Sequence, residues 1–326
     1  MDIKLDVKDR KILECLDSDA RASLGVIAKK AILSKQVVDY RIKSLIARGI
    51  IKGFKASIDI SKLGYSSYTV YVTFQNVNKV REKEIFDFIV GHAFTRWVVS
   101  CSGKWDLAFT ITAKDAISFN QTLKEILGFI GPNLGDYETN TVLDLVDFGL
   151  SFFFNKYQER KVVCESAQKI EKIDEKDFII LKELHKNARI KLIELASKTG
   201  LSADAVNYRM KALKKSGLIV GFFPTVNLAL LGYSWYQVLL HLRNLSEAEE
   251  KKLLKRLSSL NGIRYVVRCI GKWNFEVHVV AKSNLEFKEI LVELRNIFSD
   301  YIRNYDTNII LEKHKSTTLP EGVKIA

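Results

Sequence analysis

The chain has 326 residues, 47% hydrophobic and 27% charged, with a formal net charge of +13. That length fits about two to four domains, and the balance of apolar and charged residues excludes a disordered polymer. No run approaches the roughly 20 apolar residues of a membrane helix, charges at Asp2, Lys4, Asp6 and Lys8 break any leader-like segment, and four cysteines without CxxC spacing fit a reducing, cytoplasmic setting.

The first segment reads as three helices. Ile12, Leu13 and Leu16 form one apolar stripe, a short helix runs from about Leu24 to Lys30, and a third starts at Ser34 and continues through Val38, Ile42 and Leu45 to Gly49. Gly49 to Lys55 then reads as a short hairpin or wing. Beyond it the period changes: strand Tyr68–Gln75, helix Glu84–Val90, strands Arg96–Cys101 and Leu107–Ala113, helix Phe119–Phe129, and strand Thr139–Val146. That order is βαββαβ, the ferredoxin-like arrangement. Residues 151–173 read as a linker, polar and charge-rich from Asn155 onward.

The pattern then repeats at a constant offset of 168. Leu63-Gly64-Tyr65 returns as Leu231-Gly232-Tyr233, Gly103-Lys104-Trp105 as Gly271-Lys272-Trp273, and Tyr137-Glu138-Thr139-Asn140 as Tyr305-Asp306-Thr307-Asn308. Solenoid repeats span only about 20–50 residues, so this is duplication of a whole unit. Thr199-Gly200 supplies the glycine a tight helix–helix turn prefers; the first copy has Ile32 at that position and must turn without it. Ser246 and Glu249 form a capping-box pattern before a helix of the second copy. The expected architecture is α+β. Winged helix-turn-helix domains occupy 1–62 and 174–230, ferredoxin-like domains 63–150 and 231–315.

The basic charge is concentrated. Residues 1–64 carry 14 Lys/Arg against 8 Asp/Glu, and residues 170–232 carry 11 against 7. A Ser-capped helix after a tight turn, basic on its outer face, suits the major groove: its first residues meet base edges and its cations meet phosphates. The candidates in the first copy are Ser34, Lys35, Gln36, Asp39, Tyr40, Arg41 and Lys43, with wing residues Lys52 and Lys55. Those in the second are Ser202, Asp204, Asn207, Tyr208, Arg209 and Lys211. Gln36 and Asn207 have the amide that pairs with adenine. Because Asn207 aligns with Asp39, not with Gln36, the two readers differ.

These residues, from Leu33-Ser34 through Tyr40-Arg41-Ile42 to Gly49-Ile50-Ile51, and the later Gly103-Lys104-Trp105-Asp106, resemble the Lrp/AsnC (feast/famine) family of prokaryotic regulators. The resemblance covers nearly all of both units. It implies double-stranded DNA as partner, a ferredoxin-like RAM domain, oligomers formed through that domain, and an amino-acid effector near the glycine–aromatic–aspartate turn. Gly103, Trp105 and Asp106 match that turn, as do Gly271, Trp273 and Asn274, although Asn274 lacks the charge that would pair with an amino group. The usual family member has a single unit.

Siroheme decarboxylases share the two-part architecture. An enzyme of that kind needs cations and histidines around a large pocket, which Arg96, Arg264 and Arg268 alone begin to supply. His241 and His278 fall on neighbouring strands of the second unit, where a cross-strand pair is feasible. The five histidines have no metal-ligand spacing, and no phosphate loop or nucleophile motif is present. No cofactor is expected, and the remaining alternative is an assembly scaffold that does not bind DNA.

Overall fold

The structure is a computed structural model that describes residues 4–154, 160–162, 170–243 and 245–325, with 160–162 as backbone only. The first unit runs α1 (Val7–Ser18), α2 (Leu24–Ala31), α3 (Lys35–Ala47), β1 (Ile51–Ile58), β2 (Ser66–Phe74), α4 (Lys79–Gly91), β3 (Thr95–Gly103), β4 (Leu107–Ala113), α5 (Ala116–Ile130) and β5 (Leu134–Asp147). A short α6 (Ser151–Phe154) and β6 (Arg160–Val162) follow. The second unit runs α7 (Glu175–Lys186), α8 (Leu192–Thr199), α9 (Ala203–Lys215), β7 (Ile219–Val226), β8 (Ser234–Leu242), α10 (Glu247–Leu257), β9 (Ile263–Ile270), β10 (Phe275–Ala281), α11 (Asn284–Ile297) and β11 (Ile302–Ser316). No helix among the described residues is long and apolar enough to cross a membrane.

Local chemistry sets the helix ends. Asp6, Ser23 and Ser34 cap the first three helices by accepting from the N–H three residues on. Ser246 and Glu249 complete the capping box on α10. The turn after α2 is made by Ile32 itself, held left-handed at φ 59, where the second copy uses Gly200 at φ 64. A side chain in that region carries strain, and that of Ile32, 81% exposed, gains little packing to offset it.

The expected hairpin wing does not form. Each post-helix strand instead crosses to the other unit: β1 pairs antiparallel with β7, with Lys55 opposite Phe223 and Ala56 opposite Phe222. Helix α7 lies on β1 and α1 on β7, so Ile12, Leu16, Val38 and Leu45 share one continuous core with Ile180, Leu184, Val206 and Leu213. Two arginines close the seam symmetrically. Arg21 donates to the carbonyls of Ala188 and Ile190, and Arg189 to those of Ala20 and Ala22.

The ferredoxin-like halves are joined just as closely. One antiparallel sheet is ordered β5-β2-β4-β3 and the other β11-β8-β10-β9. The long last strand of each unit pairs with its own sheet over its first part and with the other sheet over its second. Thus β5 pairs with β2 and then β9, and β11 with β8 and then β3. Among the described residues the eight strands form a closed ring, and β6 adds to β5 along Leu145 to Asp147. Helices cover the outer faces, and Tyr71, Trp105, Leu239 and Trp273 pack between the inner ones.

Two repeated motifs explain this closure. Asn308 Oδ1 accepts from the backbone N–H groups of Lys104 and Trp105 at 3.0 and 3.3 Å. Reciprocally, Asn140 Oδ1 accepts from Lys272 N–H at 2.9 Å, and its amide donates to the Trp273 carbonyl at 3.3 Å. Lys104 pairs with Asp306 at 2.6 Å and Lys272 with Glu138. Glycine is required at the turn because a Cβ on Gly103 would lie 2.5 Å from the Thr307 carbonyl oxygen. Each Gly-Lys-Trp turn therefore docks on the Thr-Asn of the opposite unit.

The linker assignment is only partly met. Phe152 is buried, and Phe153 and Phe154 pack with it beside the heads; residues 155–159 and 163–169 lie outside the described residues. The chain also continues usefully past 315. Leu319 and Val323 enter the core of the heads, and Thr317 and Thr318 hydrogen-bond the His185 ring at 2.7 and 3.2 Å.

Two predictions follow from these contacts. Replacing Asn140 and Asn308 by Ala leaves buried turn N–H groups without acceptors, costing about 1–3 kcal/mol at each site. Urea unfolding should show the loss, and an unchanged midpoint in the double variant would contradict the clamp. Burial, with Lys55, Arg96 and Lys186 nearby, pushes the His185 pKa down to about 4. The unfolded chain takes up this proton near the ordinary value of 6.5, so stability should fall as pH drops from 6.5 towards 4. His185→Gln should flatten that part of the stability–pH curve.

Candidate nucleic-acid interface

Helices α3 and α9 are amphipathic, with Val38, Ile42 and Leu45, and Val206, Met210 and Leu213, turned into the core. That orientation leaves Lys35, Gln36, Tyr40 and Lys43 exposed on α3, and Asp204, Tyr208 and Lys211 exposed on α9. Asp39 and Asn207 are half-buried at the rim. Tyr40 and Tyr208 are 73% and 75% exposed, so neither belongs to a core. Ser34 and Ser202 are exposed, but each hydroxyl oxygen accepts from the N–H of Val37 or Ala205, which makes them helix caps first. Lys43 pairs with Asp39 at 2.7 Å along the helix, a solvent-exposed contact that a phosphate can replace at little cost.

Three of the expected DNA contacts are engaged elsewhere. Arg41 pairs with Asp6 and Asp9, both at 2.7 Å, and Arg209 with Asp174 and Asp177 at 2.7 and 2.9 Å. Each arginine thus ties the third helix to the start of the first, at a point where that helix's own N–H groups also favour negative charge. The Asp6 carboxyl is held below the usual range, first by the Asp9 N–H and then by Arg41. Asp174 repeats this with Asp177 and Arg209. Lys55 is the third: it alternates inward from β1, and its ammonium donates to the Ser316 carbonyl at 3.1 Å. Lys52 alone remains exposed on that strand.

The basic surface is wider than the sequence motif suggested. Lys29 and Lys30 on α2, and Lys214 and Lys215 in the last turn of α9, are also exposed. Their helical positions on the outer face were the available signal.

Of the six turn residues expected at an effector site, Trp105 and Trp273 are inside the fold, whereas Gly103, Asp106, Gly271 and Asn274 are exposed. Trp105 and Trp273 are fully buried, their ring centroids 6.3 Å apart. Asp106 accepts from Phe74 N–H at 2.7 Å, and Asn274 accepts from Leu242 N–H at 2.8 Å. Asp and Asn therefore do the same work there, fixing the neighbouring strand, and the lost charge matters little. Gly103 and Gly271 are pressed against the opposite unit's last strand.

A pocket partly open to solvent lies between the β1–β7 ribbon and the sheet sandwich. It is a cavity of about 270 Å³, whose wall includes Lys55, Arg96, Arg264 and Lys313, together with Trp97, Trp235, Tyr265 and His278. Of the three arginines singled out in the sequence, Arg96 and Arg264 line it, while Arg268 is held outside by Asp144 and Glu250. His241 and His278 do not meet. Position 278 lies opposite Gln237, four residues along β8 from His241; His241 bonds Asp306 at 3.2 Å, and the Trp235 indole N–H donates to His278 at 3.1 Å. Among the described residues no cluster of three or more His, Cys, Asp or Glu is placed to hold a metal.

Known proteins share these features. The winged helix-turn-helix DNA-binding family matches residues 5–52 and 173–220, one match per unit. An uncharacterised HTH-type transcriptional regulator of Pyrococcus furiosus is 31% identical over 148 residues, which is 44% of this chain and 94% of that protein. The HTH-type transcriptional regulator LrpA of Pyrococcus horikoshii is 34% identical over 128 residues, 39% of this chain and 88% of that protein. Among solved structures, the siroheme decarboxylase NirDL superposes over 95% of this chain and 93% of its own, with a TM-score of 0.66. Its identity of 13% makes that a likeness of fold alone. The relatives match one unit each, and on this ground the chain belongs to the Lrp/AsnC family of helix-turn-helix DNA-binding transcription regulators, with two units in one polypeptide.

Proposed function

We propose that the chain is a sequence-specific regulator whose α3 and α9 read two unlike half-sites of duplex DNA. The observation that carries this is the fixed pairing of the two heads: a shared core and the β1–β7 ribbon hold both recognition helices, with their outer faces open. A preset spacing between two readers is what a two-part operator requires. The half-sites differ because the readers do. Lys35, Gln36 and Asp39 on α3 stand where α9 has Ala203, Asp204 and Asn207.

An amino-acid effector, implied by the family, would meet the exposed Gly103, Asp106, Gly271 and Asn274 at the rim of the two turns, with Trp105 and Trp273 buried beneath. A second reading, a tetrapyrrole decarboxylase, draws on the cations of the pocket under the ribbon. Its volume argues the other way. At about 270 Å³ it falls just below the roughly 300–1,000 Å³ of small-molecule pockets, so a macrocycle would have to project from it. Saturable binding of iron uroporphyrin, read from its visible absorbance, would restore that reading.

Selection of genomic fragments with the purified chain should recover a common duplex site. Affinity should fall steeply with salt, by a log–log slope of about 0.9 per phosphate contacted. Lys43→Ala and Lys211→Ala should each weaken all sequences alike and reduce that slope by about 1. Gln36→Ala and Asn207→Ala should each alter preference in one half-site only. Arg41→Ala should lower the stability of the first head while leaving the salt slope unchanged. Binding no tighter than that of a neutral control protein at low salt would end the regulator reading. Sedimentation of the same preparation measures self-association through the ferredoxin-like halves.

A further inference from the structure

We propose that the cavity between the β1–β7 ribbon and the sandwich is a binding site for a small organic anion with a flat aromatic body. It deepens the regulator reading by giving that regulator a ligand, and it is tested without DNA.

The charge on the wall is lopsided. The two carboxylates among the described wall residues are already engaged with protein: Asp147 pairs with Arg264 and accepts from Gly149 N–H. Glu276 accepts from the Trp273 indole N–H at 3.1 Å and the Gln237 amide at 3.5 Å. Among the described residues, by contrast, no carboxylate pairs with the ammonium of Lys55 or Lys313. The Arg96 guanidinium, on the same wall, donates to Ser67 Oγ at 3.1 Å. The cations also oppose one another. The Lys313 side chain opens into the cavity, and the protein around it, with Arg264, Lys55 and Lys52, lowers its pKa to about 8. Like charges held together favour an anion among them.

The rings define the rest of the ligand. Trp235 and Tyr265 stack with centroids 5.8 Å apart, and Lys313 Nζ sits 5.3 Å from the centre of the Trp235 ring. Trp97 and Trp235 each present an edge-on contact to His278 at 5.8 and 5.7 Å. Apolar faces beside ammonium groups that have no carboxylate partner among the described residues suit an aromatic body with an acidic end.

The wall is also asymmetric, which a pair of identical chains could not arrange. Arg96 and Arg264 are repeat partners and both line it, so the cavity straddles the pseudo-twofold axis. Lys55, however, faces its repeat partner Phe223 across the ribbon, and the repeat partner of Lys313 is Leu145. Duplication followed by divergence gives one lopsided site, able to orient a ligand that itself has an acidic end and an apolar end.

The test is calorimetric titration of the full chain with phenylpyruvate and, separately, with phenethylamine, which has the same ring but a positive charge. Phenylpyruvate should bind at one site per chain and phenethylamine should not. Lys55→Gln with Lys313→Gln should weaken phenylpyruvate at least tenfold, as should Trp235→Leu. Lys288→Ala, on the outer face of α11, should leave it unchanged. A melting temperature for each variant confirms that it is folded. Equal binding of the amine, full affinity in the folded double-lysine variant, or no saturable phenylpyruvate binding would each overturn the assignment. None of these outcomes bears on DNA binding, which is measured without ligand.

Discussion

The whole molecule depends on the reciprocal docking of each Gly-Lys-Trp turn against the other unit's Thr-Asn. An asparagine amide oxygen accepting backbone N–H groups in a buried site is a short-range, directional contact, expensive to leave unmade. Made twice about one axis, it fixes where β5 leaves its own sheet for β9 and where β11 leaves for β3. The ring of eight strands closes because of it, and two edges that would otherwise invite pairing with other chains are covered.

Closure has consequences at the far end. Once the sandwich sets the two units about an axis, the strands that follow α3 and α9 emerge side by side. They satisfy their hydrogen bonds with each other and do not fold back as wings. The heads then merge into one core, and Arg21 and Arg189 seal the seam by donating to carbonyls across it. Reading helices mounted in this way cannot move independently without opening a shared core. The Arg41 and Arg209 pairs serve the same end within each head, where two acidic residues at the start of the first helix hold the third.

The space left between ribbon and sandwich is where the copies have diverged most usefully. The frame demands residues of fixed shape at the clamp, so the glycines, tryptophans and asparagines repeat. The cavity wall carries no such demand: lysine stands against phenylalanine at one pair of positions and against leucine at another. Duplication within one chain permits this, since each wall residue exists once.

Much of this was legible in the residues alone. Spacing of apolar positions, serine and aspartate caps and the βαββαβ order gave each element to within a few residues. Helix α4 starts earlier than its apolar stripe suggests because Asn78 caps it, and β5 begins before Thr139 because polar residues suffice where a strand faces solvent. The 168-residue echo established that there are two like units, and the exposed faces of α3 and α9 followed from period alone. Tertiary structure decided what those units do to one another. Which strand a wing joins, whether an arginine meets a phosphate or an aspartate, and whether an aspartate in a turn meets a ligand or a neighbouring N–H are long-range matters. They depend on what lies opposite, from 32 residues away in sequence for Arg41 with Asp9 to 204 for Asn308 with Lys104, and no local pattern carries that information.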